Sequence, residues 1–336
     1  MEEVEEFVNH VESLGFTGLP LSSYYQSIKS NSVEALDIAN YKKQFKDDTM
    51  TYDLKFRLDE PKEQVILAAF KATLRHIPFI EHGLYNGVDT KKLEQLLASV
   101  DWRKEKQLPP QQQLQQEIEA VADLFVLFNR LRISGNEQAN LILSSLQFKY
   151  WSGTPIEDYV NLSAIRQQFE KTYLFSLDGS ISDCSAKDAY NLLSGRHVVK
   201  FEETSPFLYN AHWTGLVPSH SKRDQLELVT HPKFEIAKLL GNLPLVEMRN
   251  DARTYELIYS LAQGDETKAA LDINGLVTPV LLVADPASQK INLLDVNGKS
   301  LPASVLQPSL AVPLKKSKNR KPPIIKRKPG KNRGIS

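Results

Sequence analysis

Thr267–Ala284 reads TKAALDINGLVTPVLLVA: two apolar-rich runs, Thr267–Ile273 and Leu276–Ala284, joined by Asn274–Gly275. Asn-Gly supplies the two positive-φ residues that a type I′ turn needs, so the stretch predicts a tight antiparallel hairpin. A turn at Asp285–Gln289 leads into Lys290–Val296, and Asn297–Gly298 turns the chain again, which extends the hairpin to a meander of at least three strands. Pro279 lies in the second run and cannot donate to a ladder, so it predicts an edge position for that strand.

The same two-residue period recurs near the N-terminus. Thr51–Leu58 sets Tyr52, Leu54, Phe56 and Leu58 against Asp53, Lys55 and Arg57, the pattern of a half-buried strand. Gln64–Leu74 repeats it with Val65, Leu67 and Ala69, then Phe70, Ala72 and Leu74 after a register change, and the two runs pair across Asp59–Glu63. Glu2–Leu14 and Leu21–Lys29 carry helical spacing, and Val33–Phe45 fits either strand or helix and is assigned as a strand because strands follow it.

The middle of the chain changes period. Asp89 or Thr90 caps a helix over Lys91–Val100, Pro109–Pro110 opens a long helix over Gln111–Leu131, and Ser134–Gly135 breaks it. Asn136–Phe148 and Pro155–Phe169 read as two more helices. The stripes at Leu124, Phe128, Ile142 and Leu146 predict a shared core within this region. Strands return at Thr172–Leu177, His197–Glu202 and Ala211–Val217, with helices at Ala186–Ser194 (capped by Ser185), Phe234–Leu240 and Asp251–Ala262. The fold class is therefore α+β: an antiparallel sheet body interrupted by an all-helical insert, with a disordered basic tail. The expected divisions are 1–87, 88–170, 171–312 and 313–336.

A content of 41% hydrophobic and 9% aromatic residues in 336 can fill a core and excludes general disorder. No apolar run is long enough to cross a membrane as a helix, and the start, MEEVEEF, lacks the cationic and apolar regions of a secretory leader. The lone cysteine, Cys184, fits a reducing compartment, so a cytoplasmic location is expected. Formal net charge is zero, but the charge is unevenly spread. Lys315, Lys316, Lys318, Arg320, Lys321, Lys326, Arg327, Lys328, Lys331 and Arg333 fall in a span with no acidic residue. Residues 1–314 hold the remaining 31 basic and all 41 acidic residues, a formal charge of −10. A cationic segment of this kind neutralises phosphates in a salt-dependent, sequence-blind manner. It contains no aromatic residue, so it offers unpaired bases nothing to stack on. The plainer reading is a tail that aids solubility or folds back on the acidic body.

No phosphate-loop, dinucleotide-binding, HExxH, GxSxG or CxxC motif is present. Cys184 precedes a helix start, but Asp183 and Asp188 add negative charge beside it, and no base is identified for it. The histidines, His10, His76, His82, His197, His212, His220 and His231, do not assemble from spacing into a three-ligand metal site. Neither metal nor cofactor is expected, and no catalytic residue is assigned. Arg196, at a helix end, reads either as a complement to the helix dipole or, with Lys200 on the next strand, as a phosphate contact. Lys222 and Arg223 in SHSKR extend that basic surface or form a plain polar loop.

Several segments resemble a family of uncharacterised Bacteroidota proteins, often carried on mobile or conjugative elements. The resemblance rests on SAKDAYNLLSGRHVVKFE (Ser185–Glu202), with its AYNLLxGR pattern, then YNAHWTGLV (Tyr209–Val217) and HPKFEIAKLLGNLPLVEM (His231–Met248). YSLAQGD (Tyr259–Asp265), LLVADPASQKINLLDVNGKSL (Leu281–Leu301) and KPGKNRGIS (Lys328–Ser336) follow in order, with VESLGFTG (Val11–Gly18) and TYDLKFRL (Thr51–Leu58) at the start. It covers about 1–75 and 172–336 and is interrupted by the helical region of about 84–170. It implies a cytoplasmic bacterial accessory of mobile DNA with a basic tail, and carries no catalytic residues over.

Together these readings describe a non-enzymatic accessory protein that binds DNA or RNA without sequence preference. The tail's ten cations, Arg196 and Lys200 are its contacts. The alternative is an adaptor for a protein partner, using the helical insert or sheet edges with the tail only assisting. No membrane partner is expected.

Overall fold

The structure, a computed structural model, describes residues 2–30, 34–46, 48–59, 63–102, 110–158, 160–177, 183–200, 212–219, 225–231, 234–296 and 298–302; for 110–121, 158 and 200 it describes the backbone alone. The fold is α+β with antiparallel sheets. The chain divides into two compact units. Unit 1 is built from Met1–Lys42, Thr51–Thr73 and the chain from Thr172 onward, and unit 2 from Lys43–Met50 and Leu74–Lys171. The helices expected within 88–170 fall in unit 2, which begins earlier than that range and also takes in Lys43–Met50.

Helices α1 (Glu2–Ser13) and α2 (Leu21–Lys29) precede strands β1 (Ala35–Phe45), β2 (Asp48–Asp59) and β3 (Gln64–Arg75). Alternation in β2 buries Met50, Tyr52, Leu54 and Phe56 and leaves Lys55 and Arg57 exposed. In β3 Val65 and Leu67 are buried, then the phase slips by one and Phe70, Ala72 and Leu74 are buried. Buried side chains therefore recur along the whole of β3, with the change of phase between Leu67 and Phe70. In unit 1 that core includes Phe7, Val11 and Phe16. The Phe16 ring meets Tyr41, Tyr52 and Phe70 edge-on at 5.2–5.8 Å. Each such fully buried large side chain contributes ~1.5–3 kcal/mol of transfer free energy.

Unit 2 opens with a hairpin not foreseen from the sequence, β4 (Leu84–Tyr85) and β5 (Val88–Asp89). Asn86 (φ 46°) and Gly87 (φ 76°) make its turn. Asp89 then accepts hydrogen bonds from Lys91 and Lys92 N–H and caps α3 (Thr90–Ser99). Helix α4 (Pro110–Ile133) ends at Gly135 (φ 64°), and Asn136 caps α5 (Glu137–Trp151) through Ala139 N–H. Leu124, Phe128, Ile142 and Leu146 share one core with Leu93, Leu97 and Trp151. Gly135 thus separates two helices whose apolar stripes pack together, where an unbroken helix from Gln111 to Phe148 would have left that face open. The helix expected over Pro155–Phe169 is instead a 3₁₀ turn at Pro155–Asp158 followed by α6 (Ser163–Phe169).

Strand β6 (Glu170–Ser176) completes a four-stranded sheet in the order β1-β2-β3-β6. The Leu177 N–H donates to Ala68 O, the Thr73 and Thr172 hydroxyls meet at 3.0 Å, and Phe70 stacks on Phe175, which together set β6 antiparallel to β3. Ser185 and Asp188 form a capping box on α7 (Ala186–Leu193), and Gly195 (φ 80°) ends that helix. A second sheet pairs β7 (Val198–Lys200), β8 (His212–Pro218) and β9 (Leu226–His231). The last of these was not foreseen. Helices α8 (Ile236–Gly241) and α9 (Asp251–Ala262), the latter capped by Asn250, pack on the meander β10 (Thr267–Ile273), β11 (Leu276–Asp285) and β12 (Lys290–Leu294).

The meander corrects one expectation. Its order is β10-β11-β12, so Pro279 lies in the central strand, not at an edge. Pro279 stands opposite Ala270, whose N–H donates to Glu247 and whose carbonyl accepts from Val246 N–H. Ala270 therefore exchanges no ladder bonds with Pro279, and the missing proline donor faces the β12 side. There pairing begins only at Leu281↔Leu294, so no ladder bond is lost. No helix among the described residues is long and apolar enough to cross a membrane.

Two glycines separate strain from collision. Gly275 (φ 86°) has open space where a Cβ would stand; at Gly264 (φ 80°) a Cβ would come within 2.8 Å of the His197 carbonyl. Gly275→Ala is expected to cost about 1–2 kcal/mol in urea denaturation, and Gly264→Ala about 3 kcal/mol or more. Equal losses would remove the close approach as a constraint.

Candidate nucleic-acid interface

The ten tail cations, expected to be disordered and to meet phosphate, lie outside the described residues, as do Lys222, Arg223 and His220. Lys200 is placed in β7 opposite His212, with its side chain outside the described set. Ser219 N–H donates to Gln225 O and its hydroxyl to Glu227, which closes the two ends of the segment carrying Lys222 and Arg223.

Arg196 stands differently from a phosphate contact. It is 8% exposed. Its Nη1 donates to Glu266 at 3.1 Å, Nη2 donates to Asn191 Oδ1 at 2.7 Å, and the guanidinium lies 4.8 Å over the Tyr190 ring. The arginine that follows α7 has therefore turned inward, and two of its donors are used within the fold. Asn191 completes the clasp by donating from Nδ2 to Gln263 O at 2.6 Å. Lys187 pairs with Asp265 at 2.7 Å, and Thr267 donates to Ser260 at 2.9 Å. This polar cluster fastens the end of α7 to the turn between α9 and β10. Chemically it is a tether: its cations meet carboxylates already present.

His197, the next residue, lies against β8. A Cβ on Gly215 would come within 2.5 Å of the His197 ring, so only glycine lets the imidazole rest on that backbone. His231 crosses it edge-on at 5.1 Å. Burial, then the neighbouring His231, hold the His197 imidazole below its ordinary 6.5, opposed in part by the Asp285 carboxylate. The sequence showed both histidines but not their meeting, which depends on β9.

The other histidines sit apart. His76 contacts Asp48 at 2.5 Å, and His82 reaches Glu94 at 2.8 Å and Thr90 at 3.2 Å. His10 lies 3.7 Å from Asp183. Among the described residues no group of three or more His, Cys, Asp or Glu side chains could hold a metal ion. Cys184 is half-buried beside the capped start of α7, its Sγ 3.7 Å from Ser185 O. Compared with family models, curated proteins and solved structures, the chain matches none.

Two measurements test these placements. Arg196→Gln should destabilise the fold by about 1–3 kcal/mol through the unpaired polar groups it leaves, while leaving the salt dependence of nucleic-acid binding unchanged. A flatter salt slope would return Arg196 to the interface. For His197 the folded pKa lies below the unfolded one, so the unfolded chain binds more protons as pH falls below about 6.5. Stability should therefore be full above that pH and decline below it, and His197→Gln should lessen the decline in pH-resolved thermal melts.

Proposed function

We infer that the protein binds nucleic acid without sequence preference through its C-terminal cations, as a non-enzymatic accessory of bacterial mobile DNA. One observation carries the binding: ten basic and no acidic residues from Lys315 to Arg333, on a chain whose first 314 residues sum to −10. Counterion release on contact with phosphate favours such a segment at low salt, and a negatively charged remainder adds no sequence-blind attraction of its own. The mobile-DNA context rests on the segments between Val11 and Ser336 that resemble the Bacteroidota family and follow one another in the same sequence.

A second reading, an adaptor for a protein partner, draws on helix α4. Val126 and Ile133, seven residues apart and so on one stripe, are 53% and 69% exposed, while Leu124, Phe128 and Leu131 face the core. A binding measurement against salt separates the two readings.

Full-length protein and a chain ending at Val312 are titrated against labelled duplex DNA and RNA over a range of salt. The expected outcome is a log affinity that falls by about 0.9 per phosphate contact per log unit of salt on duplex DNA. That slope should flatten on truncation, with the thermal melt unchanged. Equal binding by both chains at every salt concentration overturns the tail as the contact.

A further inference from the structure

The cationic segment has no aromatic residue, yet the folded part of unit 1 carries a stacked aromatic pair at its surface. Tyr255 and Tyr259 are one turn apart on α9. Their rings are close to parallel, 11° between planes, with centroids 6.3 Å apart. Tyr255 packs against the buried cluster of α8, α9 and the meander, so its ring is held by the core. Tyr259 is 48% exposed and lies outside that cluster. Its ring is stacked on a neighbour that packs against the core, and this arrangement has two physical consequences. A flat partner that meets Tyr259 finds a ring already oriented, so little side-chain freedom is lost on binding. Such a partner also removes a large exposed aromatic surface from water. Leu257, Ile258, Leu261 and Ala262 of the same helix are buried, so the pair sits on an element anchored in the core.

We propose that Tyr255 and Tyr259 form a stacking platform for unpaired nucleobases, so that the protein prefers single-stranded nucleic acid to duplex. The proposal rests on the nucleic-acid reading above and narrows its partner. Every base has a π-face, so stacking adds affinity without sequence preference. In a duplex those faces are covered by neighbouring base pairs, and only the phosphates remain for the cationic segment. The charge and the ring therefore act on different parts of one strand. Glu256, exposed beside the pair in sequence, adds a negative charge that opposes a strand's phosphates, so the electrostatic attraction is left to the cationic segment.

The test uses the full chain. A labelled oligothymidylate, an abasic oligomer of the same length and a duplex of the same length are titrated by fluorescence anisotropy. The wild-type protein should hold oligothymidylate more tightly than the abasic strand. Tyr259→Ala should weaken oligothymidylate binding about tenfold, the scale of one lost base stack, and leave the duplex and abasic affinities as they were. Tyr259→Phe keeps the ring and should retain the wild-type affinity. Circular dichroism melts of both variants should match the wild type, since the side chain lies outside the core. If Tyr259→Ala binds oligothymidylate and duplex in the wild-type ratio, the stacking platform is overturned and the phosphate reading stands. If the wild-type protein binds none of the three probes, both readings are overturned together.

Discussion

Ala186 is held by its own peptide groups to parts of the chain far ahead of it. Its N–H donates to Leu14 O at 2.8 Å, and its carbonyl accepts from the buried Tyr52 hydroxyl at 2.8 Å, 134 residues away in sequence. Unit 1 is assembled from three stretches of chain, and these bonds join the first two to the third. Closing a loop of that length costs more than closing a short one, though only as the logarithm of its length. What it does demand is that the contact be specific. Tyr52 meets that demand: its ring is fixed edge-on by Phe16 and Phe70, and burial pushes its phenol well above the ordinary range, so the hydroxyl stays a donor. The capping box on α7 places Ala186 at the first turn, where its N–H has no intrahelical partner and is available to Leu14.

Much of this architecture was legible because local physics and global fold agree. The period-two runs of β2 and β3, including a change of phase before Phe70, are visible in residue type alone, and so is the Asn-Gly turn between β10 and β11. Where the reading failed, the deciding information was distant. Strand β9 has no buried residue in Leu226–His231, so its apolar positions carry no one-sided pattern, and it exists because β8 pairs with it. Pro279 signals an edge, and in the narrow sense it has one, since β12 stops short of it; which strand lies beside which cannot be read from the strand itself. The Asn86–Gly87 turn was present in the sequence but flanked by strands of two residues each, too short to alternate.

The site residues divide in the same way. Charge composition is a property of the sequence, so the span from Lys315 to Arg333 is recognisable without any structure. Arg196 is not of that kind. At the end of a helix it resembles a solvent-facing cation, and its partner Glu266 is 70 residues further on. The Tyr255–Tyr259 spacing could have been noticed, but not which ring the core holds and which it leaves in water. His197 and His231 likewise meet only through the register Trp213↔His231.

Strands β3 and β6 are neighbours in the sheet, and the whole of Leu74–Lys171 lies between their unit 1 portions in sequence. In topological terms those residues are the connection of a β-hairpin that has grown to the size of a domain. A hairpin constrains its connection only by the spacing of its two ends, which is about one interstrand distance here whatever lies between. Insertions or deletions inside the helical unit thus leave the register of β3 and β6 untouched. A change of length there is carried by the connection alone, and the two strands that it joins keep their places in one sheet.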